Sequence, residues 1–101
     1  MSASAFAQWR VEGTVVDELS KKPLEGVKVH VNASAWQATT NGKGKYALSL
    51  PEGEYLIIYS LNGYTRQEQL VSVGGEKITQ QLPEVSLTAD LVQESEQMAV
   101  I

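Results

Sequence analysis

The sequence predicts an all-β domain, a seven-stranded antiparallel β-sandwich. Three observations carry that expectation. Apolar and polar residues alternate over short runs, glycine-bearing turns recur about every 8–12 residues, and no run keeps a helical period. The stretch TTNGKGKYALSLPEGEYLIIYSLNGY, residues 39–64, shows all three and reads locally as a strand meander.

Residues 9–17 (WRVEGTVVD) are rich in β-branched side chains, with Gly13 as a point of bulge or close approach. ELSKKPLEG follows as a polar loop broken by Pro23 and Gly26. Residues 27–31 alternate strictly, with Val27, Val29 and Val31 on one face. Residues 35–40 form a weaker strand closed by Asn41-Gly42, read as a hairpin turn. Tyr46, Leu48 and Leu50 alternate again, and Pro51-Glu52-Gly53 turns the chain. Residues 55–60 (YLIIYS) are apolar on both faces, as a central strand is. After Asn62-Gly63-Tyr64, residues 65–73 alternate loosely, and Gly74-Gly75 leads into residues 76–82, broken by Pro83. Residues 84–96 are open between a short strand and a helical turn. The expected core comprises Val27, Val29, Val31, Tyr46, Leu48, Tyr55 and Ile57.

The 101 residues hold one core and no cysteine, which removes disulfides, thiolate nucleophiles and zinc–thiolate sites together. The net charge of −4 is unevenly placed. Acids and bases balance up to residue 83, and Glu84, Asp90, Glu94 and Glu96 supply the whole excess, with no Lys or Arg after Lys77. Without a basic stripe, nucleic-acid binding is excluded as a leading reading. No stretch approaches the ~20 apolar residues of a spanning helix, so no direct membrane insertion is expected.

Three divisions are expected. Residues 1–8 fit both a signal-peptide remnant, through Ala5-Phe6-Ala7 before Gln8, and a small-residue N-terminus. Residues 9–88 form the sandwich, and residues 89–101 an acidic linker toward a further domain, ending on apolar Met98-Ala99-Val100-Ile101. Mobility is expected for residues 1–7 and about 90–101.

GTVVD at 13–17, PLEGVKVHV at 23–31, TTNGKGKYALSLPEGEY at 39–55 and NGY at 62–64 resemble the carboxypeptidase-regulatory-like domain over about residues 10–87. The resemblance implies a transthyretin-like or immunoglobulin-like (prealbumin-like) sandwich. Asn41 stands where that family more often has Asp, and both support an Asx-turn. Tyr64 is then expected to tuck under the sandwich edge with its hydroxyl bonded to backbone.

In bacteria such domains often follow a signal peptide and precede the plug and barrel of TonB-dependent outer-membrane receptors. That context implies a non-catalytic module on the periplasmic face of the outer membrane, acting in nutrient uptake through protein–protein contact. Its partners would be the downstream plug and barrel of the same chain and TonB or another periplasmic protein. Gln97, Met98, Ala99, Val100 and Ile101 resemble a TonB box in polarity but lack its Val-Val-Val core. Such a box pairs as an added strand with its partner. The alternatives are a carbohydrate-binding or adhesin sandwich of a secreted protein, and the accessory domain of a metallocarboxypeptidase.

Chemistry-bearing residues are sparse. His30 is the single histidine, so no multi-histidine metal site forms, and its place in the alternation turns it away from the valines. Asp17 and Glu18 are adjacent, which sets them on opposite faces or in a loop, poor geometry for paired carboxylates. No G-x-S-x-G or phosphate loop occurs. No enzyme activity, metal or cofactor is expected. Asn32-Ala33-Ser34 is a formal glycosylation sequon read as chance. Trp36, in the weakest strand, reads either as a half-buried packing residue or as an exposed anchor for a sugar ring or a partner.

Overall fold

The computed structural model describes residues 7–90, in which eight strands and no helix are formed. They are β1 (Trp9–Asp17), β2 (Lys28–Val31), β3 (Gln37–Thr39), β4 (Lys45–Leu50), β5 (Gly53–Ser60), β6 (Gln67–Val73), β7 (Thr79–Gln81) and β8 (Val85–Leu87). Seven of them correspond to the seven predicted runs, with β4 and β5 starting one and two residues earlier than read. The eighth, β8, settles the open segment after Pro83 as a strand for its described part.

The strands form two facing sheets. One has the order β4-β1-β7, with β8 also on β1, and the other has the order β3-β2-β5-β6. Val11, Val15, Tyr46, Leu48, Leu50 and Leu87 from the first meet Val29, Val31, Ile57, Tyr59, Val71 and Val73 from the second. The longer strands deliver alternate residues inward, the physical content of the period-2 pattern, with β1 departing from it where Val15 and Val16 are both buried. Of the expected core, all are buried except Tyr55, which is half-exposed. Tyr55 is the third residue of β5, near the end of the sandwich, where its ring is only partly covered. Its hydroxyl donates to the Pro51 carbonyl at 2.8 Å.

Three expectations change. The meander does not form, because β4 and β5 lie in different sheets, so Pro51-Glu52-Gly53 carries the chain across the sandwich. Asn41-Gly42 is likewise no hairpin, since β3 and β4 are in different sheets. The Asn41 side chain still builds a turn, accepting from Lys43 N–H at 2.9 Å and Lys45 N–H at 3.1 Å. Gly44 (φ 74°) then passes so close to β1 that a Cβ would stand 2.5 Å from the Val15 carbonyl oxygen. The turn is tied down by Val15 N–H donating to the Gly44 carbonyl at 2.8 Å.

The third change is in strand direction. β1 pairs antiparallel with β4 but parallel with both β7 and β8, so the first sheet is mixed. Arg10 faces Thr79 while Val15 faces Val85, so the register slips by one residue between the two pairings. β7 and β8 are in effect one strand bulged around Pro83, which has no N–H for the ladder.

Gly13 shows why a glycine sits within β1. It faces Tyr46 across the β1–β4 pair, and the phenol ring lies over its α-carbon, where a Cβ would stand 2.4 Å from the Tyr46 hydroxyl. The aromatic ring covers the patch that the missing side chain leaves.

Gly13→Ala is expected to lower stability by about 1–3 kcal/mol, since the ring has no room to withdraw inside a packed core. Equilibrium urea denaturation reads this directly, and an unchanged midpoint would contradict the overlay. Val29→Asp places an unpaired charge in the core and is expected to cost more than about 4 kcal/mol, abolishing cooperative unfolding near room temperature. A melting curve close to wild type would overturn the core assignment.

Candidate functional site

The polar side chains that point inward are joined to one another. Tyr46 of β4 and Tyr59 of β5 come from opposite sheets, and their hydroxyls meet at 2.7 Å. The Tyr59 hydroxyl donates onward to Gln69 Oε1 of β6 at 2.9 Å, which leaves Tyr46 as donor to Tyr59. The rings pack edge to face, with centroids 5.7 Å apart. Burial pushes both phenol pKa values above their ordinary range, and for Tyr59 the bond to Tyr46 adds to the effect. These hydroxyls stay protonated and act as inter-sheet ties rather than as acids or bases. Thr40 is buried in the same manner, accepting from Val27 N–H at 2.9 Å and donating to the Leu24 carbonyl at 2.6 Å.

At the end of β1, Asp17 is the hub of a loop. Its Oδ1 accepts from the N–H groups of Leu19 and Ser20, each at 2.9 Å. Its Oδ2 accepts from the Tyr64 hydroxyl at 2.8 Å. Tyr64 therefore packs against the core as expected, but its hydroxyl bonds a carboxylate and not the backbone. The reason is tertiary, because the Asx-turn at Asp17 aims one carboxylate oxygen at the loop after β5. Donation from Ser20 N–H, and next from Tyr64, holds the Asp17 carboxyl below its usual range, and the same bond raises Tyr64. Neighbouring Glu18 bonds the Thr88 hydroxyl instead, so the two carboxylates form no pair.

The outer face of the first sheet carries a shallow groove of about 420 Å³ between β4 and β3. Arg10, Glu12, Thr14, Thr39, Lys45 and Gln81 contribute its polar lining. Glu12 is engaged on both oxygens, by Arg10 and by Gln81 Nε2, the latter at 2.7 Å. The Arg10 guanidinium, and next the Gln81 amide, hold its carboxyl below the ordinary range, so it is an anion and a poor base. The groove can bind polar groups, but it offers no nucleophile next to a base. Among the described residues no group of three or more His, Asp or Glu side chains converges to hold a metal ion.

His30 points away from the valines, on the outer face of β2, as its alternation predicts. Its Nε2 lies 3.0 Å from the Ser34 carbonyl oxygen, so the ring fastens the β2–β3 turn. Trp36 sits at the entry to β3 with 38% of its surface exposed, its ring edge-on to Tyr55 at 5.8 Å. It is thus a braced aromatic at the open end of the sandwich, partly packing residue and partly surface. Gln97, Met98, Ala99, Val100 and Ile101 lie outside the described residues, as do the stretch around Ala5 and the acidic segment beyond Asp90. Sequence reasoning missed the Tyr59–Gln69 and Asp17–Tyr64 bonds. A tyrosine placed inward by alternation, whose hydroxyl needs a partner, was the available signal for the first.

Because its folded pKa is depressed, Asp17 contributes stability that is complete above its unfolded pKa and is lost as pH falls through the folded value. The urea midpoint is expected to drop between about pH 5 and pH 2. Tyr64→Phe should raise the Asp17 pKa part of the way toward 3.8, since Ser20 N–H supplies the larger share of the effect. A carboxyl-resolved NMR titration checks this, and an unmoved Asp17 would remove Tyr64 from the account.

Comparison with solved structures finds the same fold at low identity. A type II cohesin–X–dockerin complex from Acetivibrio cellulolyticus is similar over 80% of this chain and 58% of that one (TM-score 0.64, 15% identity). The group B streptococcus pilus 2b backbone protein is similar over 85% and 43% (TM-score 0.64, 17% identity). The Bacillus anthracis TIE protein is similar over 82% and 17% (TM-score 0.65, 17% identity). This chain therefore spans less than two thirds of the length of the structures it resembles. No curated protein sequence matches it significantly. Residues 11–96 match the CarboxypepD_reg-like domain, from the first core valine of β1 through β8 and beyond. On that match the chain belongs to the CarboxypepD_reg-like domain family.

Proposed function

We propose that this domain is a non-catalytic protein-interaction module, the N-terminal periplasmic extension of a TonB-dependent outer-membrane receptor that serves nutrient uptake. One observation carries the non-catalytic part. Tyr46, Tyr59, Thr40, Asp17 and Glu12 are all committed to bonds that hold the fold together. What remains for function is surface: strand edges, the Trp36 corner and the segment that follows Asp90. Similar folds occur in a cohesin–X–dockerin complex and in a pilus backbone protein, settings in which a sandwich meets other protein.

The receptor setting is supported by family membership and by the charge pattern, a balanced sandwich followed by an acidic run and an apolar close. Like charges keep such a linker soluble and extended, and extended apolar backbone can add a strand to a partner's sheet.

The test is binding to the C-terminal domain of the cognate TonB, by titration calorimetry or NMR. The whole chain should bind, and Val100→Pro should weaken binding by about tenfold, or 1.4 kcal/mol, through loss of one backbone donor and an unfavourable φ. A chain ending at Asp90 keeps β8, whose Leu87 is fully buried, and should bind little. Undiminished binding by that shorter chain would move the contact onto the folded surface, where Trp36→Ala would be the next variant. Absence of binding by the whole chain would overturn the TonB reading.

A further inference from the structure

The edges of the two sheets are not equally protected. β3, β7 and β8 are three residues each, and β4 begins on Lys45, both common ways of blunting an edge. β6 is different. It runs seven residues, QEQLVSV, with no lysine, proline or bulge, and among the described residues it pairs as a strand only with β5.

The direction of its backbone groups follows from two side-chain bonds. Gln80 accepts from Gly74 N–H at 2.8 Å and donates to the Ser72 carbonyl at 3.2 Å, so these groups face away from β5. In a strand the N–H and C=O of one residue point the same way and alternate with the next. Leu70 and Glu68 therefore also face outward, and among the described residues their backbone groups have no hydrogen-bond partner. The other side of β5 agrees, since Leu56 offers its carbonyl to Asn32 N–H on the β2 side at 2.8 Å. The Gln80 amide occupies two edge groups much as a neighbouring peptide would, and the open stretch is centred on Leu70. That side chain is 82% exposed and lies next to Leu56 on the outer face.

We propose that β6 is a self-association edge, pairing antiparallel with β6 of a second copy about a two-fold axis through Leu70. This inference does not depend on the receptor reading. The sequence around Leu70 complements itself in that register. Leu70 meets Leu70, and each Glu68 falls opposite a Ser72. The two Glu68 carboxylates are thus kept about 13 Å apart along the strands. Arg66 at one end arrives near Gly74 of the other copy, over which Glu52 lies and which Glu76 follows. The incoming Glu68 N–H replaces the long Gln80 bond at Ser72, and Leu56 and Leu70 of both copies form one apolar strip. The two second sheets then fuse into a single eight-stranded sheet.

The absence of cysteine makes the test clean. A hydrogen-bonded antiparallel pair brings opposed α-carbons to about 5.5 Å, within disulfide reach. Leu70→Cys in the whole chain should form a covalent dimer under copper oxidation at least about tenfold faster than Leu19→Cys, whose position is similarly exposed at 78%. Wild type should show a reversible dimer in sedimentation equilibrium, and Leu70→Lys should be monomeric with an unchanged melting temperature. Cross-linking of Leu70→Cys no faster than of Leu19→Cys would overturn the proposal. So would a wild type that stays monomeric up to about 1 mM.

Discussion

Within the apolar core that packs the two sheets face to face, the hydroxyl pair of Tyr46 and Tyr59 is a polar contact that joins one sheet to the other. Much of the sandwich is arranged to allow it. Gly13 leaves the space over which the Tyr46 ring reaches, and Gln69 accepts the last proton of the chain; among the described residues no buried side-chain polar atom lacks a partner. A hydrogen bond of this kind adds only about 1 kcal/mol net, but an unmatched member would cost more than that. The pair therefore works chiefly as a specification of register. Slipping β1 against β4 by one residue would drive the Tyr46 ring into a Cβ and strand its hydroxyl.

The loops follow the same economy. The chain crosses between sheets at Asn41–Gly44 and again at Pro51–Gly53, and both crossings lie where β1 or β5 is already fixed. The Asp17–Tyr64 bond then ties the β1–β2 loop to the loop after β5, fastening the end of the sandwich from which residues 88–90 depart. Polar groups that might have served chemistry are used up in holding the frame. This is the physical reason the functional reading falls on edges and corners instead of on a pocket.

Those edges differ in how far their backbone groups are covered. A sandwich offers four sheet margins, and shortening or charging most of them leaves the remaining one as the place where backbone can pair. In this chain the bulge at Pro83 trims the β7–β8 margin, while β6, capped by the Gln80 amide only at its Ser72–Gly74 end, keeps unpaired backbone beside an exposed Leu70.

The sequence by itself determined the fold class, most strand positions and the central part of the core, because period-2 alternation at positions such as Val27–Val29–Val31 states which side chains must leave water, while Val11, Val15, Tyr59, Val71, Val73 and Leu87 joined that core only in the folded sandwich. It also determined the outward turn of His30 and the role of Asn41 in a turn, since both are local. Tertiary structure alone decided which strands share a sheet. Alternation names a buried face but not the strand that covers it, so a sheet-crossing turn and a hairpin look alike along the chain. For the same reason the parallel pairing of β1 with β7 and β8, the half-exposure of Tyr55 and the partners of Tyr59 and Tyr64 were not legible. Each depends on residues distant in sequence, such as Asp17 and Tyr64, being brought within hydrogen-bond reach only after the sheets have closed on one another.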